Sequence, residues 1–169
     1  MGVALDVTDE ASVGAAVAAI EAQFGPVDVL INSAGTHIEQ PAEEVTMEAW
    51  DTVLDVNLRG AFLLSQAVAR SEIAHGIGGS HIHVTSVRSN LGLRRGYAAY
   101  CSSKGGLGIL IKQLASEWAR YGIRVNGIAP GWIVVESHYQ QIRNFDPDAV
   151  ARQMMVPRQR LGQPVEVAK

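Results

Sequence analysis

One cysteine, Cys101, is all that the chain contains, so no intrachain disulfide can form and a reducing, cytoplasmic setting is expected. Long apolar runs are missing too. The longest, Ala15 to Ile20, falls far short of the roughly 20 residues that a membrane-spanning helix needs. At the start, Met1-Gly2-Val3-Ala4-Leu5-Asp6 has no charged segment leading into an apolar one, so no signal peptide is visible. Basic charge is never clustered: 14 Lys and Arg against 17 Asp and Glu give a net charge of -3, which argues against nucleic acid as a partner. Also missing is a glycine-rich turn between a strand and a helix, the usual cradle for phosphate. The one dense cluster, Gly76-Ile77-Gly78-Gly79, follows a helix and precedes a strand, the wrong order for that purpose. Gly105-Gly106 and Gly108 fall inside a helical segment, where close packing explains them better.

What is present is an ordinary globular composition over 169 residues, 47% hydrophobic and 18% charged, with no repeat or linker; it reads as one domain, 1–169. Thr8 suits a helix N-cap, followed by Asp9 and Glu10 in the favourable first turn. Val13, Val17, Ile20 and Phe24 then recur at helical spacing until Gly25-Pro26 stops the helix. Val27 to Asn32 is a short apolar run suited to a buried parallel strand. A second helix is predicted from Thr46 towards His75, with Trp50, Leu54 and Asn57 on one face. The pattern continues with a strand at Ile82 to Ser86, a long helix from Gly96 to Tyr121 and a strand at Ile123 to Ala129. Asp146-Pro147 and Pro164 are plausible starts for later helices. Such alternation predicts an α/β layered domain with right-handed crossovers, the three strands parallel and adjacent in sequence order.

Chemistry concentrates in Gly96-Tyr97-Ala98-Ala99-Tyr100-Cys101-Ser102-Ser103-Lys104. Tyr100 and Lys104 stand four apart, so a helix puts phenol and ammonium on one face. A phenol is a poor base at neutral pH, and a nearby cation favours its ionised form. The pair is a means of moving a proton to or from an alcohol or carbonyl. Four further signatures accompany it in order. They are Asn32-Ser33-Ala34-Gly35 after an apolar strand, Asn57 within Asp55-Val56-Asn57-Leu58-Arg59-Gly60, Ser86 upstream of Tyr100, and Pro130-Gly131 after the last strand.

Together these resemble the short-chain dehydrogenase/reductase family, over essentially the whole chain. The resemblance implies a three-layer α/β/α Rossmann-like parallel sheet, and on that pattern the chain is expected to be truncated at both ends. It also implies an NAD- or NADP-dependent oxidoreductase that interconverts a secondary alcohol and a ketone. Tyr100 would act as general acid and base, and Lys104 would assist it and hold the nicotinamide ribose. Ser86 would bind the substrate oxygen, and Asn57 would hold a water linking Lys104 to solvent. Asp6 and Val7 would lie near the adenine, Asn32, Ala34 and Gly35 on the adenosine side, and Pro130, Gly131 and Ile133 beside the nicotinamide. The partners implied are a small alcohol or ketone and further copies of the chain, as a homodimer or homotetramer of the complete protein, with no membrane. Ala61, Leu64, Val68, Leu110, Leu114 and Trp118 are apolar residues available for that contact. The segment Pro130 to Ser137 looks like members acting as glucose dehydrogenases or oxoacyl reductases. Lacking a phosphate-binding turn, the chain alone is expected to turn over little cofactor, and its first strand to have an open edge. A non-catalytic remnant that works by association is the rival reading.

Some details depart from the family pattern. Thirteen residues separate Ser86 from Tyr100, one more than is usual, so the Asn90 to Arg95 loop must absorb the extra residue. Ser89 is a rival for Ser86, Ser33 replaces a more frequent asparagine, and Val135 stands where many members have a threonine. His81 and His83 alternate on a strand and share a face, but no third ligand is placed beside them, so no metal is expected. Arg88, Arg94 and Arg95 flank the implied cleft and could receive a carboxylate or phosphate, although a solvated loop is the commoner reason for such charges. Cys101 points away from Tyr100 around the helix and reads as packing.

Overall fold

The computed structural model describes residues 1–94, 96–134 and 146–168. The chain divides into two compact units, Met1–Ala129 and Pro130–Lys169. In the first, α1 (Glu10–Phe24) leads to β1 (Val29–Asn32), then α2 (Met47–Leu54), a π-helical turn (Asp55–Arg59) and α3 (Gly60–His75). β2 (Gly79–Val84), α4 (Ala98–Trp118) and β3 (Ile123–Ile128) follow, with short 3-10 turns at Val87–Ser89 and Ala119–Tyr121. The second unit holds α5 (Pro147–Gln153) and α6 (Pro164–Val167) around a small cluster of Val134, Ala151 and Leu161. No helix among the described residues is long and apolar enough to cross a membrane.

The three strands form one parallel sheet in the order β1-β2-β3, as the alternation predicts. Register sets which residues meet the helices. Asn32 stands opposite His83, and His81 opposite Val125, so these four share the face covered by α3 and α4. Their neighbours Val29 and Ile31 point the other way and are 51% and 67% exposed. The covered face is sealed by Ala61, Ala69, Leu107, Ile111, Leu114, Ile123 and Val125, with a second cluster of Val13, Leu63 and Leu64 beneath α1. β1 is an edge strand, and residues 1–6 form no strand.

Local departures from the sequence reading have local causes. Asp9, not Thr8, caps α1: its carboxylate accepts from the Ala11 N–H, while the Thr8 hydroxyl donates to Asp6. Phe24 ends the helical stripe in solvent, at 66% exposure. Thr46 does cap the second helix, but that helix is interrupted by the π-helical turn. The inward residues of this stretch are Ala49 and Val53 in α2 and Asn57 in the turn, while Trp50 and Leu54 are half-buried.

Glycines mark the tight contacts. Gly76 ends α3 in the left-handed region, at φ 65°. A Cβ on Gly106 would lie 2.9 Å from Leu58, consistent with the packing role expected for it. Gly96 is the most constrained near the Tyr100 helix: a Cβ there would lie 2.3 Å from the Gln40 carbonyl carbon and oxygen. Backbone atoms cannot swing aside as a side-chain end can. Gly96→Ala is therefore expected to cost about 1–3 kcal/mol of stability. Gly14→Ala, on an open helix surface with nothing within 4 Å, is expected to stabilise slightly. Denaturant titration of both variants checks the contrast, and equal effects would contradict it.

Candidate active site

Residues from four separate stretches gather at the C-terminal ends of β1 and β2. Lys104 comes from the second turn of α4 and is only 4% exposed. Its ammonium donates to the Val84 carbonyl at 2.9 Å, the last residue of β2, and lies 5.8 Å from the centroid of the Tyr100 ring. Burial pushes the Lys104 ammonium down from its ordinary value. Among the described residues that is its single hydrogen bond, so two of its three donors remain available. The Tyr100 hydroxyl has no hydrogen-bond partner among the described residues.

Asn57 occupies the π-helical turn and is 1% exposed. Its side-chain oxygen accepts from the Thr36 N–H at 2.7 Å, and its amide donates to the Thr36 carbonyl at 2.9 Å and to Ser103 Oγ at 3.0 Å. Ser103 in turn donates to the Tyr100 carbonyl at 2.8 Å. Asn57 thus ties the loop after β1 to the helix carrying Tyr100 and Lys104. Gly35 brings the parts closest: a Cβ there would lie 3.4 Å from Asn57 Oδ1 and 3.6 Å from Lys104 Nζ.

Ser86 lies just beyond the end of β2, where its hydroxyl caps the 3-10 turn by accepting from the Arg88 N–H at 3.1 Å. That leaves its own proton free to donate. Its rival Ser89 is committed, donating to the Lys104 carbonyl at 2.9 Å. On the other side, Asn32 accepts from the Ala34 N–H at 3.0 Å and so shapes the turn into Gly35. Its amide faces His83 Nδ1 at 3.3 Å, and the far nitrogen of His83 meets Ser65 Oγ at 3.0 Å.

The other expected site residues are less gathered. Asp6 binds the Thr8 N–H and hydroxyl through one oxygen, and those bonds hold its carboxyl below the usual range. Val7 packs against Gly60 and the α1 cluster. Pro130, Gly131 and Ile133 belong to the second unit, where Ile133 pairs with Gly162. Val135 and Arg95 lie outside the described residues. His81 is fully buried against Glu72 at 3.0 Å. Among the described residues no group of three or more His, Cys, Asp or Glu side chains could hold a metal.

The sequence reading passed over a ring cluster. His37, next to Thr36, stacks on Tyr97 with centroids 4.1 Å apart and meets the Tyr100 ring edge-on at 5.2 Å. Tyr97 is three residues before Tyr100 and could have been found by helical spacing. Nothing near His37 in sequence points to it.

A family model described as Enoyl-(Acyl carrier protein) reductase matches residues 1–169. The chain belongs to the short-chain dehydrogenase/reductase family. D-threitol dehydrogenase of Mycolicibacterium smegmatis is 39% identical over 167 residues, covering 99% of this chain and 63% of that protein. Gluconate 5-dehydrogenase of Gluconobacter oxydans is 42% identical over 131 residues, 78% of this chain and 50% of that one. Among solved structures, a gluconate 5-dehydrogenase from Burkholderia cenocepacia in complex with NADP and tartrate superposes with a TM-score of 0.85 at 36% identity. That match covers 96% of this chain and 63% of the solved one. The chain therefore spans about half to two thirds of these family members, and its parallel sheet with flanking helices is their Rossmann-like fold.

Proposed function

We propose that these residues form the catalytic part of an NAD- or NADP-dependent oxidoreductase, 1–169 being a single partial Rossmann-like domain, that interconverts a secondary alcohol and a ketone. The relatives' names favour a small polyhydroxylated substrate, a polyol or sugar acid. One observation carries the reading: a buried lysine ammonium with two spare donors sits beside a tyrosine ring, at the strand ends where open α/β sheets bind ligands. The residues present fit a nicotinamide cofactor. Lys104 can serve the adjacent hydroxyls of a ribose, and the missing Cβ of Gly35 keeps open the space between Asn57 and Lys104.

Bound there, NAD or NADP would supply the acceptor or donor of the hydride. The chain's own work is binding and proton transfer. Tyr100 takes the alcohol proton in oxidation and returns it to the carbonyl oxygen in reduction. The Lys104 ammonium stabilises negative charge on the phenolic oxygen. Ser86, with its hydroxyl proton unused by the turn it caps, donates to the substrate oxygen as charge develops there. Asn57 spends both amide protons on Thr36 and Ser103, so it would hold a relay water through acceptor positions only. On this reading Asn32, Ala34 and Gly35 line the adenosine side, Asp6 and Val7 the adenine, and Pro130, Gly131 and Ile133 the nicotinamide. The test is incubation of the protein carrying these residues with NAD or NADP and threitol, gluconate or glycerol. Growth of reduced-nicotinamide absorbance is expected with at least one pair. A protein that binds neither cofactor and reduces none would overturn the reading.

Self-association is also proposed, through the expected pair of helices but with only Leu110 of the expected residues lining the groove between them. Ala61, Leu64, Val68 and Leu114 are buried within this chain's own core and cannot face a second copy. They pack inward because α3 and α4 turn those faces to the sheet. A groove of about 590 Å³ instead runs between Leu54, Leu58, Phe62, Ile109 and Leu110, with Ile109 65% exposed. A second copy seated there would bury it symmetrically. Ile109→Glu is expected to shift the protein to monomer in sedimentation, and an unchanged assembly would refute this surface. The lone Cys101 favours the cytoplasm, and recovery from an oxidising compartment would contradict that.

A further inference from the structure

We infer that His37 is a positioning residue, holding the Tyr100 ring from a strap that the buried Asn57 anchors; this rests on the functional reading above. The strap is the segment 36–40, leaving the end of β1 and passing the start of α4. Asn57 grips it at Thr36 by both backbone groups, at 2.7 and 2.9 Å, which fixes the neighbouring residue. Its far end is pinned where the Gln40 N–H donates to the Gly96 carbonyl at 3.2 Å. The absent side chain of Gly96 allows that approach. Between these anchors the His37 ring lies nearly flat on Tyr97, at 4.1 Å and 18°. It meets Tyr100 edge-on, at 5.2 Å and 70°, while Tyr97 and Tyr100 meet at 6.0 Å and 83°. Each ring thus touches the other two, in geometries that aromatic pairs favour.

The triangle matters because the phenolic oxygen has no hydrogen bond of its own among the described residues. The ring is oriented by its contacts: His37 and Tyr97 together, and the Lys104 ammonium 5.8 Å from its centroid. An imidazole filling the site as an aromatic plate can be replaced by another plate. Loss of the plate leaves the phenol free to rotate away from the reacting oxygen, and a misplacement of about 1 Å costs on the order of 100-fold in rate.

The experiment compares His37→Ala, His37→Leu and His37→Phe with the parent protein. Turnover is expected to fall about 10- to 100-fold in the alanine and leucine variants, with the KM for cofactor unchanged, and to stay within about threefold in phenylalanine. Ring resonances of Tyr100, identified by their loss in Tyr100→Phe, are recorded on 13C-tyrosine-labelled protein without cofactor. They are expected to move in His37→Ala and His37→Leu and to return in His37→Phe. Leucine fills the volume without a ring, so a folding failure confined to alanine leaves the comparison intact. Unmoved resonances in the leucine variant overturn the inference. So does a phenylalanine variant as damaged as leucine, which would mean that a ring nitrogen is needed. If the complete protein that carries these residues shows no turnover, the functional reading fails while the tyrosine resonances still decide this one.

Discussion

Tyr100→Phe is expected to lower turnover by about 10²- to 10⁴-fold while leaving cofactor affinity and stability almost unchanged. The substitution removes one oxygen and keeps the ring, so the contacts with His37 and Tyr97 survive. No hydrogen bond among the described residues is lost with it. What disappears is the group that exchanges a proton with the substrate oxygen, and Ser86 cannot replace it as a base at neutral pH. Steady-state kinetics with cofactor titration separates the effects. A drop confined to turnover supports proton transfer, whereas activity above a tenth of the parent's would sink the role of Tyr100. Lys104→Met should be as damaging but less clean. It removes both the charge beside the phenol and the bond to Val84, so a rise in the KM for cofactor is expected as well.

The second large effect is on stability against pH, and it comes from groups outside the proposed chemistry. Burial holds the His83 imidazole down to about 4, with the Lys104 charge adding to it. Burial and the neighbouring His83 do the same for His81, also to about 4. Burial, aided by Asp28, pushes the Glu72 carboxyl up to about 7. Between about 4 and about 7 the buried pair is therefore neutral, and a protonated Glu72 carboxyl can donate to His81 Nε2, 3.0 Å away. An unfolded histidine binds a proton below about 6.5, so each buried imidazole costs stability as pH falls from there towards 4. Glu72 acts in the opposite sense. Unfolded, it would lose its proton near 4.5, so its contribution is present in acid and lost as pH rises towards 7.

Between about pH 4.5 and 6.5 the two imidazoles outweigh the one carboxyl by a single proton. Stability is expected to fall by about 1.4 kcal/mol for each pH unit of acidification in that window. Glu72→Gln removes the opposing group and should about double that slope. His83→Asn leaves Glu72 and His81 to cancel and should nearly flatten it. Asp6 and Glu166, whose carboxyls are held low, titrate below the window. Denaturant unfolding of the three proteins across this range reads the slopes directly. A Glu72→Gln slope equal to the parent's would show that the pair is not neutral when folded.

Much of this molecule was determined by local patterns in its sequence. Strands and helices followed from apolar runs, helical spacing and stop signals such as Gly25-Pro26, all set by neighbours along the chain. Tyr100 and Lys104 were legible as a pair because four residues make one turn of α4, and the tight turn after β1 was legible in Asn32 and Gly35. Element ends were read less well: Thr8 lost the cap of α1 to Asp9 because its hydroxyl serves Asp6. Other features needed the tertiary structure. The π-helical turn turns Asn57 inward, and its partners Thr36 and Ser103 lie far along the chain on either side. His37 reaches Tyr100 only because the strap after β1 crosses the start of α4. His81 and His83, which looked like half a metal site, became core residues because Glu72, Ser65 and Asn32 close over them. Four of the six residues expected to serve self-association, Ala61, Leu64, Val68 and Leu114, are buried for the same reason: periodicity tells that a helix has an apolar face, while packing decides whether that face meets the sheet or another molecule. Backbone preferences act over a few residues and are written locally; side-chain partnerships form across the fold, where only the packed chain chooses them.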